Sequence, residues 1–332
     1  MLSGVGSMQT EKLLIVENLV RHFPLRRNIL GRTRKVVRAV DGVSFAVQKG
    51  STLGLVGESG CGKTTLGRCI TRLDEPTAGK IIFAGQNLAA LNHSQVRKLR
   101  REMQTIFQDP FSSLNPRRRV GDSIAEAYAI HDLHAPADRK GKVAELLIEV
   151  GVAPEWADRY PHELSGGQRQ RVAIARALAL NPRLVIADEA VSALDVSIQA
   201  QIINLLLKLQ DQFGLTYVFV SHDLAVVRHM SDQLAVMYLG KIVERGDAHL
   251  IFRRPLHPYT WALLAAVPRA DPNIRGAAVR LKGDPPSSIA PPPGCPFNTR
   301  CHRAQEICRQ TMPPESEAEP GHYICCYFPI ED

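Results

Sequence analysis

The sequence predicts an α/β protein organised around a phosphate-binding loop, and three stretches carry that prediction. Gly57-Glu58-Ser59-Gly60-Cys61-Gly62-Lys63-Thr64 completes the pattern G-x-x-x-x-G-K-[ST] directly after the apolar run Leu53-Gly54-Leu55-Val56. Leu184-Val185-Ile186-Ala187-Asp188-Glu189 reads as a buried parallel strand that ends in two carboxylates. Thr216 to Val220 reads as another strand, ending in Ser221-His222-Asp223, and open α/β sheets place their ligands at such carboxyl ends.

The glycine-rich stretch has an explicit chemistry. A strand delivers the chain, the glycines allow a tight turn whose N–H groups face inward, and the following helix adds the positive end of its dipole. Gly57, Glu58, Ser59, Gly60, Cys61 and Gly62 form the cradle, and Lys63 reaches the β- and γ-phosphates. The Thr64 hydroxyl meets a Mg²⁺ ion that bridges those phosphates, and Thr65 lies in the helix.

In chain order, Leu13 to Leu19 and Val40 to Val47 have strand character, separated by a basic excursion, Pro24 to Val37, that reads as a surface loop. His22 or Phe23 at its start offers a ring for an adenine base. After the loop helix, Glu75 to Gly79 is a turn and Lys80 to Ala84 a strand. Met103 to Gln108 is a short strand broken by Asp109-Pro110, which leaves Gln108 able to reach a metal. Taken alone, such a glutamine is a loop cap.

Ile124 to Gly151 carries helical periodicity with Gly151 as its stop, a helical insert. It leads to Leu164-Ser165-Gly166-Gly167-Gln168, where two glycines precede the helix Arg169 to Leu180 and expose backbone donors suited to phosphate. Asp188 is then placed to hold Mg²⁺ and Glu189 to polarise an attacking water. After Ser192-Ala193-Leu194-Asp195 come a helix, Ile198 to Phe213, and the strand ending at His222, which can sense a γ-phosphate by hydrogen bonding.

Composition narrows the class. With 332 residues, 45% hydrophobic and 22% charged, the chain suits one large or two modest soluble domains. No window approaches the ~18 uninterrupted apolar residues of a membrane span, and no secretory pattern opens the chain, so a cytosolic setting is expected. The net charge of +8 concentrates at Arg26 to Arg38 and Arg97 to Arg101, without interleaved aromatics. Nucleic acid is therefore not expected, and a position beside an anionic membrane fits the charge.

Taken in order, these motifs resemble the ATP-binding cassette (ABC) ATPases from Leu13 to about Gly246. Gln108 matches the Q-loop, Leu164 to Gln168 the family signature, Leu184 to Glu189 the Walker B strand, Ser192 to Asp195 the D-loop and His222 the switch histidine. The resemblance implies a P-loop NTPase (RecA-like) core with an antiparallel β subdomain and an ABC α-helical subdomain. The expected division is a nucleotide-binding domain over 10–250, its helical part at about 109–180, and a Cys-rich C-terminal extension over 251–332. It implies further that two such domains pair head to tail. Each ATP would then lie between Gly57–Thr65 of one chain and Ser165–Gln168 of the other, with Phe23 on the base and Asp195 at the junction. Ala190-Val191 departs from the Pro-Thr pair usual after the glutamate, although both acids are intact.

His257-Pro258-Tyr259-Thr260, the Pro-rich linker Asp284 to Pro293 and the cysteine tail resemble the oligopeptide/dipeptide importer subgroup, and the basic excursion resembles the second of its paired ATPases. That implies a heterodimer with a sister ATPase, two transmembrane permease subunits and, indirectly, a solute-binding protein, at the cytoplasmic face of the inner membrane. A nickel or other small-solute importer is the alternative within the family. A soluble ABC ATPase acting on nucleic acid or the ribosome is the alternative outside it, against which stands the single cassette.

The tail spacing is C-x5-C-x6-C at Cys295, Cys301 and Cys308, with Cys325 and Cys326 following. In a cytosolic setting clustered thiolates suit Zn²⁺ or an iron–sulfur cluster. The subgroup resemblance implies a [4Fe–4S] cluster, with Cys326 as the fourth ligand when positions are counted from Gly321-His322. Cys61 and Cys69 read as small core residues.

Overall fold

A computed structural model describes residues 11–27, 33–109, 113–266 and 283–331. The chain opens with a long hairpin, β1 (Lys12–Arg27) and β2 (Thr33–Gln48), followed by β3 (Thr52–Val56), β4 (Ala78–Phe83), β5 (Gln86–Asn87) and β6 (Met103–Ile106). Beyond a helical region come β7 (Leu184–Asp188), β8 (Thr216–Val220), β9 (Gln233–Tyr238) and β10 (Lys241–Asp247). β11 (Ser316–Glu319) and β12 (His322–Ile324) lie in the extension.

Two sheets result. An antiparallel sheet runs β2-β1-β4-β5, and a mixed sheet runs β11-β12-β10-β9-β3-β8-β7-β6. Strands β9, β3, β8, β7 and β6 are mutually parallel. Every residue of β3 and β8 is buried, as expected of strands covered on both faces. One apolar core, including Leu55, Leu66, Ile70 and Phe83, joins the two sheets, with Cys61 and Cys69 inside it. A second core packs the helices on the main sheet and reaches Cys295, Phe297 and Cys308 of the extension.

The basic excursion is strand where it is described, not surface loop. Pro24 pairs with Val36, Arg26 with Lys35 and Arg27 with Thr33. The ladder shifts register between Pro24 and Arg26, and such an irregularity accommodates a residue without an N–H. The tip, 28–32, lies outside the described residues. The helical insert is also more divided than its periodicity suggested. It forms Val120–Ile130 and Arg139–Glu149, and the connection carries Asp132 and His134 at φ +50° and +56°. Gly151, at φ +70°, stops the second helix as expected.

The extension does not fold apart. β12 pairs antiparallel with β10, Glu244 opposite Ile324 and Arg245 opposite Tyr323, and β11 adds a final edge strand. Glu244 anchors this join: its carboxyl group is fully buried and accepts from the backbone N–H of Leu256 (2.8 Å), the backbone N–H of His257 (3.0 Å) and His322 Nε2 (2.7 Å).

Candidate nucleotide-binding site

β3 delivers the chain into the loop, and backbone geometry there requires glycine. Gly62 has φ +111°, and a Cβ on it would lie 1.9 Å from the Ala39 carbonyl oxygen. Gly57 would place a Cβ 2.1 Å from the Met237 carbonyl oxygen. No other residue fits either position without moving neighbouring backbone. The helix Lys63–Ile70 starts directly after Gly62, so its free N–H groups open towards the loop with Ser59, Gly60 and Cys61 around them.

The Lys63 side chain is buried and folds back along the loop. Its Nζ donates to the carbonyl oxygens of Gly57 (2.7 Å) and Glu58 (3.1 Å) and approaches Cys61 Sγ at 3.8 Å. Burial pushes the Cys61 thiol pKa up, with the Lys63 charge opposing, so the thiol stays neutral. Thr64 Oγ1 donates to Asp188 Oδ1 at 3.1 Å, which joins the two side chains expected to share a Mg²⁺ ion. Burial raises the Asp188 pKa, the Thr64 bond opposes the shift, and the Glu189 charge adds to it. Thr65 is half-buried inside the helix.

Register brings the remaining groups to the same edge. Asp188 pairs with Val220, so the residue after each strand end, Glu189 and Ser221, follows side by side. Glu189 takes a left-handed conformation, φ +49°, donates its backbone N–H to the Val220 carbonyl (2.9 Å), and brings Oε2 to 3.5 Å from His222 Nδ1. His222 itself is exposed. β6 ends at Ile106, opposite Ala187, so Gln108 is exposed in the loop two residues past the strand next to β7 rather than at the strand's own end. The parallel strands thus carry the loop, His222, Asp188 with Glu189, and Gln108 in one row, the order β3-β8-β7-β6.

Phe23 is partly buried opposite Val37, and the Arg21 guanidinium lies 4.3 Å from its ring centroid. His22 is committed elsewhere. Its Nε2 is 3.0 Å from Asp41 Oδ1, and Lys241 Nζ lies 3.1 Å from the other Asp41 oxygen. Burial opposes ionisation of Asp41, but the bonds from Lys241 and His22 win, and its pKa is lowered.

The signature residues open a helix of their own. Ser165 and Gln168 close a reciprocal capping box, with Ser165 N–H to Gln168 Oε1 at 2.8 Å and Gln168 N–H to Ser165 Oγ at 3.4 Å. The helix Gly166–Leu178 therefore starts earlier than its apolar pattern suggested. Ser165 and Gly166 are exposed, and a Cβ added at Gly166 would lie 3.5 Å from Leu194 and one at Gly167 2.6 Å from Ile198. Asp195 is exposed just before the helix Val196–Phe213.

Two residues that sequence reasoning missed grip the loop from the extension. Arg300 places both terminal nitrogens on the Glu58 carboxylate, and the Glu58 backbone N–H donates to the Tyr259 hydroxyl. Nothing local in the sequence signals these contacts, which span 242 and 201 residues.

The expected thiols come together around one cavity, lined by Cys295, Cys301, Cys308 and Cys326 with His257 and Phe297. Cys325 is not among them. Its backbone N–H continues the sheet by donating to the Val243 carbonyl at 2.9 Å. Burial pushes the Cys295 thiol up to about 11 and that of Cys326 up to about 12. Among the described residues, no three His, Cys, Asp or Glu side chains stand close enough to hold a metal ion.

Residues 40–192 match the ABC transporter family, which makes this chain an ATP-binding-cassette ATPase. A dimeric cassette solved in a post-hydrolysis state with ADP and phosphate has a similar fold, with a TM-score of 0.63 and 27% identity, covering 71% of this chain and 98% of that one. Residues 243–308 match the C-terminal region of oligopeptide/dipeptide transporters. The chain is 52% identical to the oligopeptide transport ATP-binding protein AppF of Bacillus subtilis, over 96% of this chain and 98% of that protein. It is 47% identical to the dipeptide transport ATP-binding protein DppF of Escherichia coli, over 97% and 96% respectively. The chain belongs to the oligopeptide/dipeptide ABC transporter family of ATP-binding proteins, and its activity is ATP hydrolysis coupled to transport.

Proposed function

We propose that this chain is the ATP-hydrolysing subunit of a di- and oligopeptide importer. In this reading it pairs with a sister ATPase beneath two transmembrane permease subunits, at the cytoplasmic face of the inner membrane, and a solute-binding protein supplies the cargo. Likeness to peptide-transport relatives that runs unbroken through cassette and extension carries the proposal. Among the described residues no helix is long and apolar enough to cross a membrane, consistent with a peripheral position.

The chemistry follows from the row of strand ends. Lys63 exchanges its two loop carbonyls for the β- and γ-phosphates, a gain because the new partners carry full charge. Thr64 and Asp188, with Gln108, would hold Mg²⁺, and the ion would supply neutralisation of the charge that develops on the phosphates. Thr64 would then give up its bond to Asp188, freeing the carboxylate oxygen for the ion. Glu189 would orient and polarise the attacking water, and His222, 3.5 Å from it, would hydrogen-bond a γ-phosphate oxygen. Ser165, Gly166, Gly167 and Gln168 are exposed or half-buried and serve the partner's nucleotide, beside Asp195.

In the extension, Cys295, Cys301, Cys308 and Cys326 would hold a [4Fe–4S] cluster. The four thiols line one cavity together with His257, whose buried Nε2 has no hydrogen-bond partner, and that grouping supports the reading. In the assembled complex, Glu189→Gln is expected to lower ATP turnover ~10²–10⁴-fold while ATP still binds. Peptides should stimulate the wild-type rate; unchanged turnover in the variant would remove Glu189 from its role, and indifference to peptides would remove the cargo assignment.

A further inference from the structure

The phosphate loop is gripped at Glu58, a position the loop pattern leaves free. Arg300 donates to Glu58 Oε2 at 2.8 Å and Oε1 at 3.0 Å, and its side chain is only 6% exposed. The same guanidinium donates to the Tyr238 hydroxyl at 3.3 Å. Such a fork fixes both the position and the plane of the carboxylate.

The second grip acts on the backbone. The Glu58 N–H donates to Tyr259 Oη at 2.8 Å, and the carbonyl of that same peptide unit, from Gly57, accepts from Lys63 Nζ at 2.7 Å. A trans peptide points its N–H and C=O in opposite directions. Fixing the N–H on Tyr259 therefore aims the carbonyl at Lys63 and sets where the ammonium waits. Tyr259 cannot drift, because its ring packs on Tyr238 and Phe297 at centroid distances of 4.6 and 5.4 Å, and its residue is fully buried. Both grips arise outside the cassette segment, from the extension.

We infer that Arg300 and Tyr259 are positioning residues for ATP, a clamp through which the C-terminal extension holds the phosphate loop and Lys63 in the form that receives the nucleotide. Neither residue touches the reacting atoms. Their removal loosens the Gly57–Glu58 peptide, so binding ATP must then include the cost of ordering it. The inference rests on Gly57–Thr65 being the ATP site, and Lys63→Ala tests that separately.

The experiment uses the full chain and a non-hydrolysable ATP analogue with Mg²⁺, titrated at equilibrium, alongside thermal unfolding. Tyr259→Phe keeps the ring and deletes only the acceptor; Arg300→Lys keeps the charge and deletes the fork. Each is expected to weaken analogue binding about fivefold, with KM for ATP rising while kcat changes less. Arg300→Ala should weaken it further, and Glu58→Gln combined with Arg300→Lys should cost little more than either alone. A loss beyond twofold in Tyr259→Phe or Arg300→Lys supports the clamp. Affinity within twofold of wild type in both overturns it, whatever happens to the unfolding temperature. Should Lys63→Ala bind the analogue as tightly as wild type, the ATP-site reading fails instead.

Discussion

Replacing Glu244 tests whether the join between cassette and extension is as strong as its geometry implies. Three donors meet on one fully buried carboxyl group: two backbone N–H groups of the Leu256–His257 segment and His322 Nε2. Glu244→Ala leaves all three without an acceptor, and each buried orphan costs about 1–3 kcal/mol. Water entering the vacated space recovers part of this, so about 4 kcal/mol is expected. Glu244→Gln keeps the volume, but its single carbonyl oxygen accepts two donors and its amide faces the third, which suggests about 2 kcal/mol. Urea denaturation monitored by circular dichroism gives both values from the shift in midpoint at constant slope. The order Ala worse than Gln is part of the expectation. A loss below about 1 kcal/mol for Glu244→Ala would refute the reasoning, because it would mean the three donors find other partners at no cost.

Other consequences can be measured as directly. Gly62→Ala forces a Cβ against the Ala39 carbonyl at a φ that disfavours side chains, and should weaken ATP binding more than tenfold; wild-type affinity would show that the loop adapts. Burial lowers the His257 pKa to about 4, with the Glu244 charge opposing, against an ordinary value of 6.5. The unfolded chain therefore takes up the proton first, and stability falls as pH drops from 6.5 towards 4. A gap of about 2.5 pH units at 1.36 kcal/mol each comes to about 3 kcal/mol, which denaturation across that range should detect and His257→Asn, which keeps the helix cap, should flatten. The proposed cluster predicts bound iron and visible absorbance in anaerobically purified wild type, lost in Cys326→Ser and kept in Cys325→Ser; wild type without iron would remove the cluster. The reverse pattern would reassign the ligand.

The parts of the candidate nucleotide site that the structure brings together were legible in the sequence because they are local. Strand, glycines, lysine and threonine follow one another within a dozen residues, and the acids of β7 and the histidine of β8 mark their own strand ends. What escaped was non-local or masked by composition. The far part of the hairpin β1–β2, within Pro24 to Val37, reads as loop because Pro24 and the arginines obscure its alternation, yet cross-strand pairing tolerates both through register shifts. The helical insert kept its period on both sides of a break set by residues at positive φ, which pattern counting does not register. Arg300 carries no motif, and the His257-Pro258-Tyr259-Thr260 stretch gives no sign that Tyr259 reaches the phosphate loop. Their roles exist only because β12 brings the extension back to β10 and the rings of Tyr238, Tyr259 and Phe297 meet there.

That return has a consequence for solubility as well as for structure. A sheet whose outermost strand is apolar offers a template on which another chain can stack. Here β10, with Ile242 and Val243 buried, is capped by β12 and then by β11, a short Ser-Glu-Ala-Glu strand that is exposed and acidic. Two glutamates on the last rung discourage any further strand from docking. A chain cut before Ser316 would leave β10 as the border of the sheet, and its defect would show as clumping in concentrated solution before any step of hydrolysis was tested.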